Sequence, residues 1–253
     1  KNVSKYTQNI FNIAENSLLI SNKLIEDGLV DINNENERKR FLLSLMGTNP
    51  NVSWFSYGWK NGDFVGVQRV NNGDIRYHIR DFNPNTGKTK NTTHFYRFGN
   101  SKIEEINKTT HETKYNATQR SWYKKAIISN SIIWTPIYIF STNSKPGINV
   151  AIKNSITDKD NKKFNGVLTI GIELEMLSNF TQTVQVGKTG ALFIIDTQER
   201  LIASNNFSKI VSKKGNKSSL TKIESVKDNK YLQIIHNSIK NNKVNLYSFK
   251  GLK

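Results

Sequence analysis

Hydrophobic positions recur at three- and four-residue spacing from the start of the chain. Val3, Tyr6, Ile10, Ile13, Ile20 and Leu24, with Ser17 in register, form one stripe, and Phe11, Ala14, Leu18 and Ile25 widen it on one flank. This period predicts a long amphipathic helix. Two uses fit the pattern equally: one broad stripe packed on its own domain, or a stripe plus a heptad seam that meets a helix from a second copy. After Gly28 and a polar run, Phe41, Leu42, Leu43 and Leu45 predict a second helix over 38–46, stopped by Gly47 and Pro50.

The period then changes from helical to two-residue alternation. Segments 52–59, 64–70 and 75–80 are rich in β-branched and aromatic residues and are separated by Asn61-Gly62 and by Asn71-Asn72-Gly73-Asp74, both hairpin signals. A further turn, Asn83-Pro84-Asn85-Thr86-Gly87, leads to a weaker strand over 94–98. The pattern predicts a short helix over 120–129, strands over 134–140, 147–156 and 166–174, and a connecting helix over 176–184. Helices that precede and interrupt an antiparallel sheet of about five strands make the fold class α+β. Gly187-Lys188-Thr189-Gly190 then opens a second hairpin, 191–196 with 200–204, and the remainder is expected to hold helical stretches and few strands. The expected division is a long N-terminal helix over 1–34, a first domain over 35–184 and a second over 185–253. The last, at about 65 residues, is short for an independent core.

Composition narrows the function classes. The chain has 253 residues and a net charge of +17, from 37 Lys and Arg against 20 Asp and Glu. The basic residues are scattered along the whole length among many Asn and Ser, and no nucleic-acid-reading motif occurs, so nucleic acid is not expected as a partner. The absence of cysteine excludes disulfides, thiolate metal sites and thiol catalysis in this segment. His78, His94, His111 and His236 lack metal-ligand spacing and read as solvated or structural. No Gly-x-Ser-x-Gly, phosphate loop or paired-carboxylate motif occurs, and Gly187 to Gly190 lacks the spacer of a phosphate loop. Neither an enzyme, a metal site nor a cofactor is expected. No run approaches the ~20 apolar residues of a membrane span. The chain opens inside a helical pattern without an initiator Met, as expected for a piece of a longer protein.

The densest chemistry lies at Tyr115, Arg120, Trp122 and Tyr123, followed by Trp134-Thr135-Pro136-Ile137-Tyr138. An arginine among aromatic rings suits a small anion, because its fork pairs a carboxylate bidentately and the rings exclude water. No acid lies within four residues of Arg120. The plain alternative is that these rings only fill a core. Pro136 points to an edge or irregular strand, as at a pocket rim.

The order of four segments, Arg120-Ser-Trp-Tyr-Lys-Lys-Ala126, Trp134-Thr-Pro-Ile-Tyr138, Gly166-Val-Leu-Thr-Ile-Gly-Ile172 and Gly187-Lys-Thr-Gly-Ala-Leu-Phe-Ile-Ile-Asp196, resembles the double Cache sensor domain of bacterial chemoreceptors, sensor histidine kinases and nucleotide cyclases. The resemblance covers essentially the whole chain. It implies a long N-terminal helix followed by two PAS-like domains, the second incomplete here, in the periplasmic or extracellular part of a membrane-anchored protein. It also implies a small-molecule partner, while the heptad seam of the N-terminal helix leaves open a homodimer through that helix. In the amino-acid-binding branch, a Tyr, an Arg-x-Trp-Tyr, a Tyr on the next strand and a later Asp surround the ligand. Tyr115, Arg120, Trp122, Tyr123 and Tyr138 stand at the matching positions, with Arg120 and Trp122 implied in carboxylate capture.

The Asp that would pair the ligand's ammonium is replaced by Gly171. A buried ammonium without that partner is costly, so an ordinary α-amino acid is doubtful. Val167, Thr169, Gly171 and Glu173 share one strand face, which places Thr169 and Gly171 at the expected pocket floor. Three outcomes stay open: a larger ligand, a ligand without an amine, or recruitment of Glu173 or Asp81. The expected ligand-binding set is therefore Tyr115, Arg120, Trp122, Tyr123, Trp134, Tyr138, Thr169 and Gly171. The expected function is an extracytoplasmic sensor for a small carboxylate that signals to a cytoplasmic output domain. The alternative is a structural or partner-binding extracellular domain whose basic surface meets anionic lipid or polymer.

Overall fold

The computed structural model describes residues 3–70, 73–98, 103–158, 161–184, 191–205, 209–214 and 217–241. Contacts divide the chain discontinuously, where the sequence suggests linear boundaries. A larger unit holds residues 12–135 and 149–172, and a smaller unit holds 1–11, 136–148 and 173–253.

Helix α1 (Val3–Glu26) buries Phe11, Ala14, Leu18 and Ile25, the flank of the predicted stripe. Of the stripe itself, Ile10 is buried and Ile20 is 62% exposed, and Leu19, off the stripe, is exposed as well. Helix α2 (Glu35–Thr48) starts at Asn34, whose side chain accepts from the Glu37 amide at 3.1 Å and so satisfies an end-of-helix donor. It packs against β1 (Trp54–Trp59) and β2 (Phe64–Arg69).

The antiparallel strands β3 (Ile75–Asn83), β4 (Lys88–Phe98) and β5 (Ile103–Thr113) extend this meander. The sheet order is β5-β4-β3-β2-β1-β9-β8-β6, with β6 (Ile133–Trp134), β8 (Pro146–Asp158) and β9 (Asn161–Glu173) completing the other side. The β1–β2 hairpin closes through Gly62 at φ +98°, a left-handed conformation that glycine adopts without strain. Helix α3 (Ser121–Ile127) is shorter than the sequence suggests.

Two expectations need correction. The weak strand over 94–98 is the end of the eleven-residue β4, and it pairs with β5, which sequence reading did not find. All but the last position of β5 is exposed, so an edge strand in water carries no apolar alternation to read. The single strand expected over 134–140 is two short pieces, β6 and β7 (Tyr138–Ile139). Pro136 lies between them and has no N–H for a ladder bond. Trp134 and Tyr138 consequently fall in different units.

Strand β7 pairs with the start of β8 in the smaller unit, which also holds α4 (Glu175–Gln182), β10 (Phe193–Ile195) and β11 (Leu201–Ser204). A further hairpin, β12 (Val211–Lys214) with β13 (Lys217–Leu220), stands where few strands were expected, and α5 (Lys230–Lys240) follows. Leu201, Ile223, Val226 and Leu232 form the core of this part. The turn at Gly187 to Gly190 lies outside the described residues. Among the described residues, no helix is long and apolar enough to cross a membrane.

Candidate functional site

Strand register sorts the side chains of the larger unit onto two faces, because directly paired residues point the same way. Gly58 pairs Phe64, and Phe64 pairs Arg80, which pairs Asn91. Ser56 pairs Gly66, then His78, then Thr93. Across the other edge of β1, Ser56 faces Thr169 and Trp54 faces Gly171. One face of the sheet is thus built from Trp54, Ser56, Phe64, Gln68, His78, Arg80, Asn91, Thr93 and Thr169, with glycines between them. It is a polar face, yet Ser56, Gln68, His78, Arg80, Asn91, Thr93 and Thr169 are all buried.

The segment leading into α3 lies on this face. Asn116 turns the chain by accepting from the Thr118 amide at 2.9 Å, and the Ala117 amide donates to the Gly62 carbonyl at 3.1 Å. Trp122 is seated over Gly58: a Cβ built there would lie 2.7 Å from its Cη2 atom and 2.9 Å from the Ala117 methyl. The ring of Phe64 similarly occupies the space above Gly66, where an added Cβ would come within 2.8 Å of it. These glycines are seats for rings that line the site.

Arg80 is only 6% exposed. Its guanidinium carbon lies 4.1 Å from the Tyr115 ring centroid and 4.8 Å from that of Phe64, and its Nε donates to Asn91 Oδ1 at 2.9 Å. Arg120 approaches the same Tyr115 ring at 5.6 Å. Two cations therefore share one phenol. Burial pulls the Arg80 pKa below its usual range, Tyr115 opposes that shift, and the charge of Arg120 adds to it. The Tyr115 phenol is pushed up by burial and held back by the two arginines.

A directional hydrogen-bond relay runs along this face. Arginine can only donate, so Asn91 must present its oxygen to Arg80 and its amide nitrogen to Thr93 Oγ1 at 3.2 Å and to His111 Nε2 at 3.4 Å. Thr93 accepts there, and its own proton is satisfied if it donates to His78 Nδ1, 3.0 Å away. That assigns the proton of a neutral His78 to Nε2. Burial, then the charges of Arg80, Arg76 and His111, hold the His78 pKa well below 6.5, so the ring is neutral. The ring stacks on Trp54 at 5.3 Å. Its Nε2 is buried without a hydrogen-bond partner, as is Gln68 Oε1.

Among the sequence-derived candidates, Tyr115 and Arg120 meet directly, and Trp122 joins them through Phe64, with ring centroids 6.4 Å apart for Phe64–Trp122 and 5.1 Å for Phe64–Tyr115. Tyr123 packs edge-on to Trp122 at 5.7 Å. The Thr169 hydroxyl is engaged, accepting from Asn149 at 3.0 Å and donating to the Val150 carbonyl at 2.9 Å. Gly171 faces Trp54, and its carbonyl accepts from the Ser53 amide at 3.0 Å. The indole of Trp134 donates to Glu15 of α1 at 2.7 Å, and its strand β6 packs against α3. Tyr138 packs on Phe140 in the smaller unit at 5.2 Å.

Neither suggested replacement acid serves this face. Glu173 accepts from Asn143 at 2.6 Å and lies 3.6 Å from Lys145, within the smaller unit. Asp81 alternates with Arg80 onto the opposite face, where it pairs with Lys90 in the register and is exposed. On the polar face, β1 to β4, and β9 up to Gly171, contribute no Asp or Glu. Sequence reasoning read His78 as solvated or structural and passed over Arg80, Gln68 and Asn91. The available signal was Arg76, His78 and Arg80 alternating with Ile75, Tyr77 and Ile79, which looks like a strand with one face in water.

Among the described residues no His, Asp and Glu cluster suits a metal ion. A depression of about 660 Å³ at the end of α1, lined by Ile25, Asp27, Asp31, Ile32 and Ile156 among others, is remote from these rings in its lining and brings no free cation to bear.

Comparison with known proteins agrees with this architecture. Residues 63–179 match the family described as methyl-accepting chemotaxis protein-like, first PDC sensor domain. The chain is 34% identical over 90 residues to a probable methyl-accepting chemotaxis protein of Bacillus thuringiensis subsp. konkukian, covering 35% of this chain and 13% of that protein. It is 30% identical over 94 residues to the methyl-accepting chemotaxis protein McpA of Bacillus subtilis, covering 36% of this chain and 13% of that one. Each match therefore spans a small part of a much longer relative. Among solved structures, the ligand-binding domain of the Campylobacter jejuni chemoreceptor Tlp3, in complex with 4-methylisoleucine, aligns with a TM-score of 0.50 at 17% identity, over 81% of this chain and 67% of that one. A structure of methyl-accepting chemotaxis protein X aligns with a TM-score of 0.51 at 10% identity, over 94% and 80%. At such identities the likeness is one of fold alone, an α+β architecture.

Proposed function

Because the chain carries a sensor domain of the chemoreceptor PDC family, we propose that it is the extracytoplasmic input of a membrane-anchored receptor and binds a small carboxylate at Arg120. The observation that supports this reading most is the state of that arginine. Its guanidinium lies against Tyr115 beside a second, buried arginine, and among the described residues no carboxylate pairs with it. A carboxylate ligand would supply the missing anion through two parallel N–H···O bonds. The Tlp3 domain was solved with 4-methylisoleucine, a molecule that carries a carboxylate, which agrees with the same chemistry.

Signalling requires that the ligand favour one arrangement of the protein over another. Coupling of about 1 to 3 kcal/mol is typical. The N-terminal helix, with Leu19 and Ile20 exposed, is the element through which a second copy would be met and a displacement passed on.

The test is thermal unfolding of the purified chain with a panel of carboxylates, each beside its primary amide. A carboxylate is expected to raise the melting temperature and its amide is not. Arg120→Ala should abolish the rise. An undiminished rise in Arg120→Ala would remove Arg120 from the site.

A further inference from the structure

The charge and hydrogen-bond balance of the polar face specifies more than one carboxylate. Arg120 is a donor fork without an acid partner among the described residues. His78 presents a second donor, the Nε2–H that the relay through Asn91 and Thr93 leaves over, and this nitrogen is buried without an acceptor. The histidine is 4% exposed, so bulk water does not readily serve it. A buried polar group without a partner is destabilising, and its persistence points to an acceptor brought from outside.

The two donors flank Arg80. Arg120 shares the Tyr115 ring with it, and His78 is two residues before it on the same face of β3, roughly 7 Å away by strand rise. The strands add no Asp or Glu to this face, so they supply no negative charge to pair a ligand's ammonium, and the neutral Gln68 Oε1 is the unpartnered acceptor they offer. The field there comes from Arg80, Arg120 and Arg76, all of one sign.

We infer that the ligand is a short dicarboxylate without an amine, one carboxylate gripped by Arg120 beside Arg80 and the other accepting the Nε2–H of His78. This rests on the carboxylate reading of Arg120 given above and names the ligand class for the same site. Two separated acceptors answer two separated donors, the Arg120 fork and the His78 Nε2–H. A monocarboxylate leaves the histidine donor unmet. An α-amino acid adds a cation to a face whose strands carry charge of that sign alone.

The experiment is calorimetric titration of the purified chain with succinate, glutarate and adipate, against butyrate, valerate and hexanoate of matching length, and against L-valine. At least one diacid is expected to bind about tenfold more tightly than its monoacid, the ratio that one hydrogen bond to a charged group provides. His78→Leu should erase that ratio while the monoacid affinity holds. His78→Gln, whose amide keeps a donor near the Nε2 position, should retain part of it and serves where the leucine variant does not fold. Arg120→Ala should lose both classes. If diacid and monoacid bind equally and His78→Leu changes neither, the dicarboxylate assignment is wrong, His78 is satisfied by an ordered water, and the carboxylate reading stands. Tighter binding of L-valine than of every diacid overturns the assignment in the same way. If no carboxylate of any kind binds, the reading of Arg120 fails and this inference falls with it.

Discussion

Phe55 and Ser56 are neighbours on one strand, both are buried, and they face opposite sides of the same sheet. On the Phe55 side, Tyr57, Val65, Val67, Ile75 and Tyr77 are each 0% exposed, and α2 packs over β1 and β2. On the Ser56 side the equally buried positions are Gln68, His78, Arg80, Asn91 and Thr93. Burial of apolar surface stabilises a fold, whereas burial of polar groups costs stability unless each is hydrogen-bonded. On the proposed function, the Phe55 face holds the domain together and the Ser56 face is the one that meets the ligand.

Replacement of single residues on either side separates those roles. Phe55→Ala removes a fully buried ring and is expected to destabilise the chain by about 3 to 5 kcal/mol, read by urea denaturation. Ser56→Ala, one residue along, should cost less than about 1 kcal/mol. Comparable losses at both positions would mean that the polar face is as structural as the other.

Gly58→Ala tests how α3 is seated. The new methyl would meet Trp122 and Ala117 at 2.7 and 2.9 Å, so the helix must shift, at an expected cost of about 1 to 3 kcal/mol. Because Trp122 adjoins Phe64 and, through it, Tyr115, ligand affinity should fall as well. Loss of stability with full retention of carboxylate binding would detach Trp122 from the site.

Thr93→Val keeps the shape of the side chain and removes the relay hydroxyl. Asn91 then loses an acceptor and His78 Nδ1 loses its donor, an expected cost of about 1 to 2 kcal/mol. The variant also frees the His78 proton to move between its nitrogens. A change in the imidazole nitrogen chemical shifts is expected, and identical spectra would refute the assigned tautomer.

These contrasts explain what was readable beforehand. The period of α1 and the Asn61-Gly62 hairpin follow from local chemistry, so they were legible. β5 was not, because an exposed edge strand such as Ile-Glu-Glu-Ile-Asn-Lys-Thr-Thr-His-Glu-Thr has no dry face to mark. Tyr115, Arg120 and Trp122 could be grouped because they are close in sequence. The direction of Trp134 depends on Glu15, 119 residues away, which no local pattern encodes. The Arg76, His78, Arg80 alternation was visible but reads as a wet face. Its burial is not encoded locally: Tyr115, Ala117 and Trp122 return over Gly58, Phe64 and Arg80 from more than thirty residues away.

A further expected effect is on pH dependence, and it isolates His78. Burial together with the charges of Arg80, Arg76 and His111 places its folded pKa well below the ordinary 6.5. Between those two values the unfolded chain binds a proton that the folded chain does not, so stability rises with pH there. The contribution is complete above about pH 6.5 and is lost progressively as the pH falls from that point, by at most about 1.4 kcal/mol per unit. His78→Gln removes the titration and leaves the other acids and histidines in place. The variant's melting temperature should therefore fall less than the parent's between pH 7 and pH 5, and a saturating dicarboxylate should not reverse that order. Parallel curves would show that His78 titrates alike in both states. The neutral ring, and the Nε2–H donor that depends on it, would then have to be abandoned.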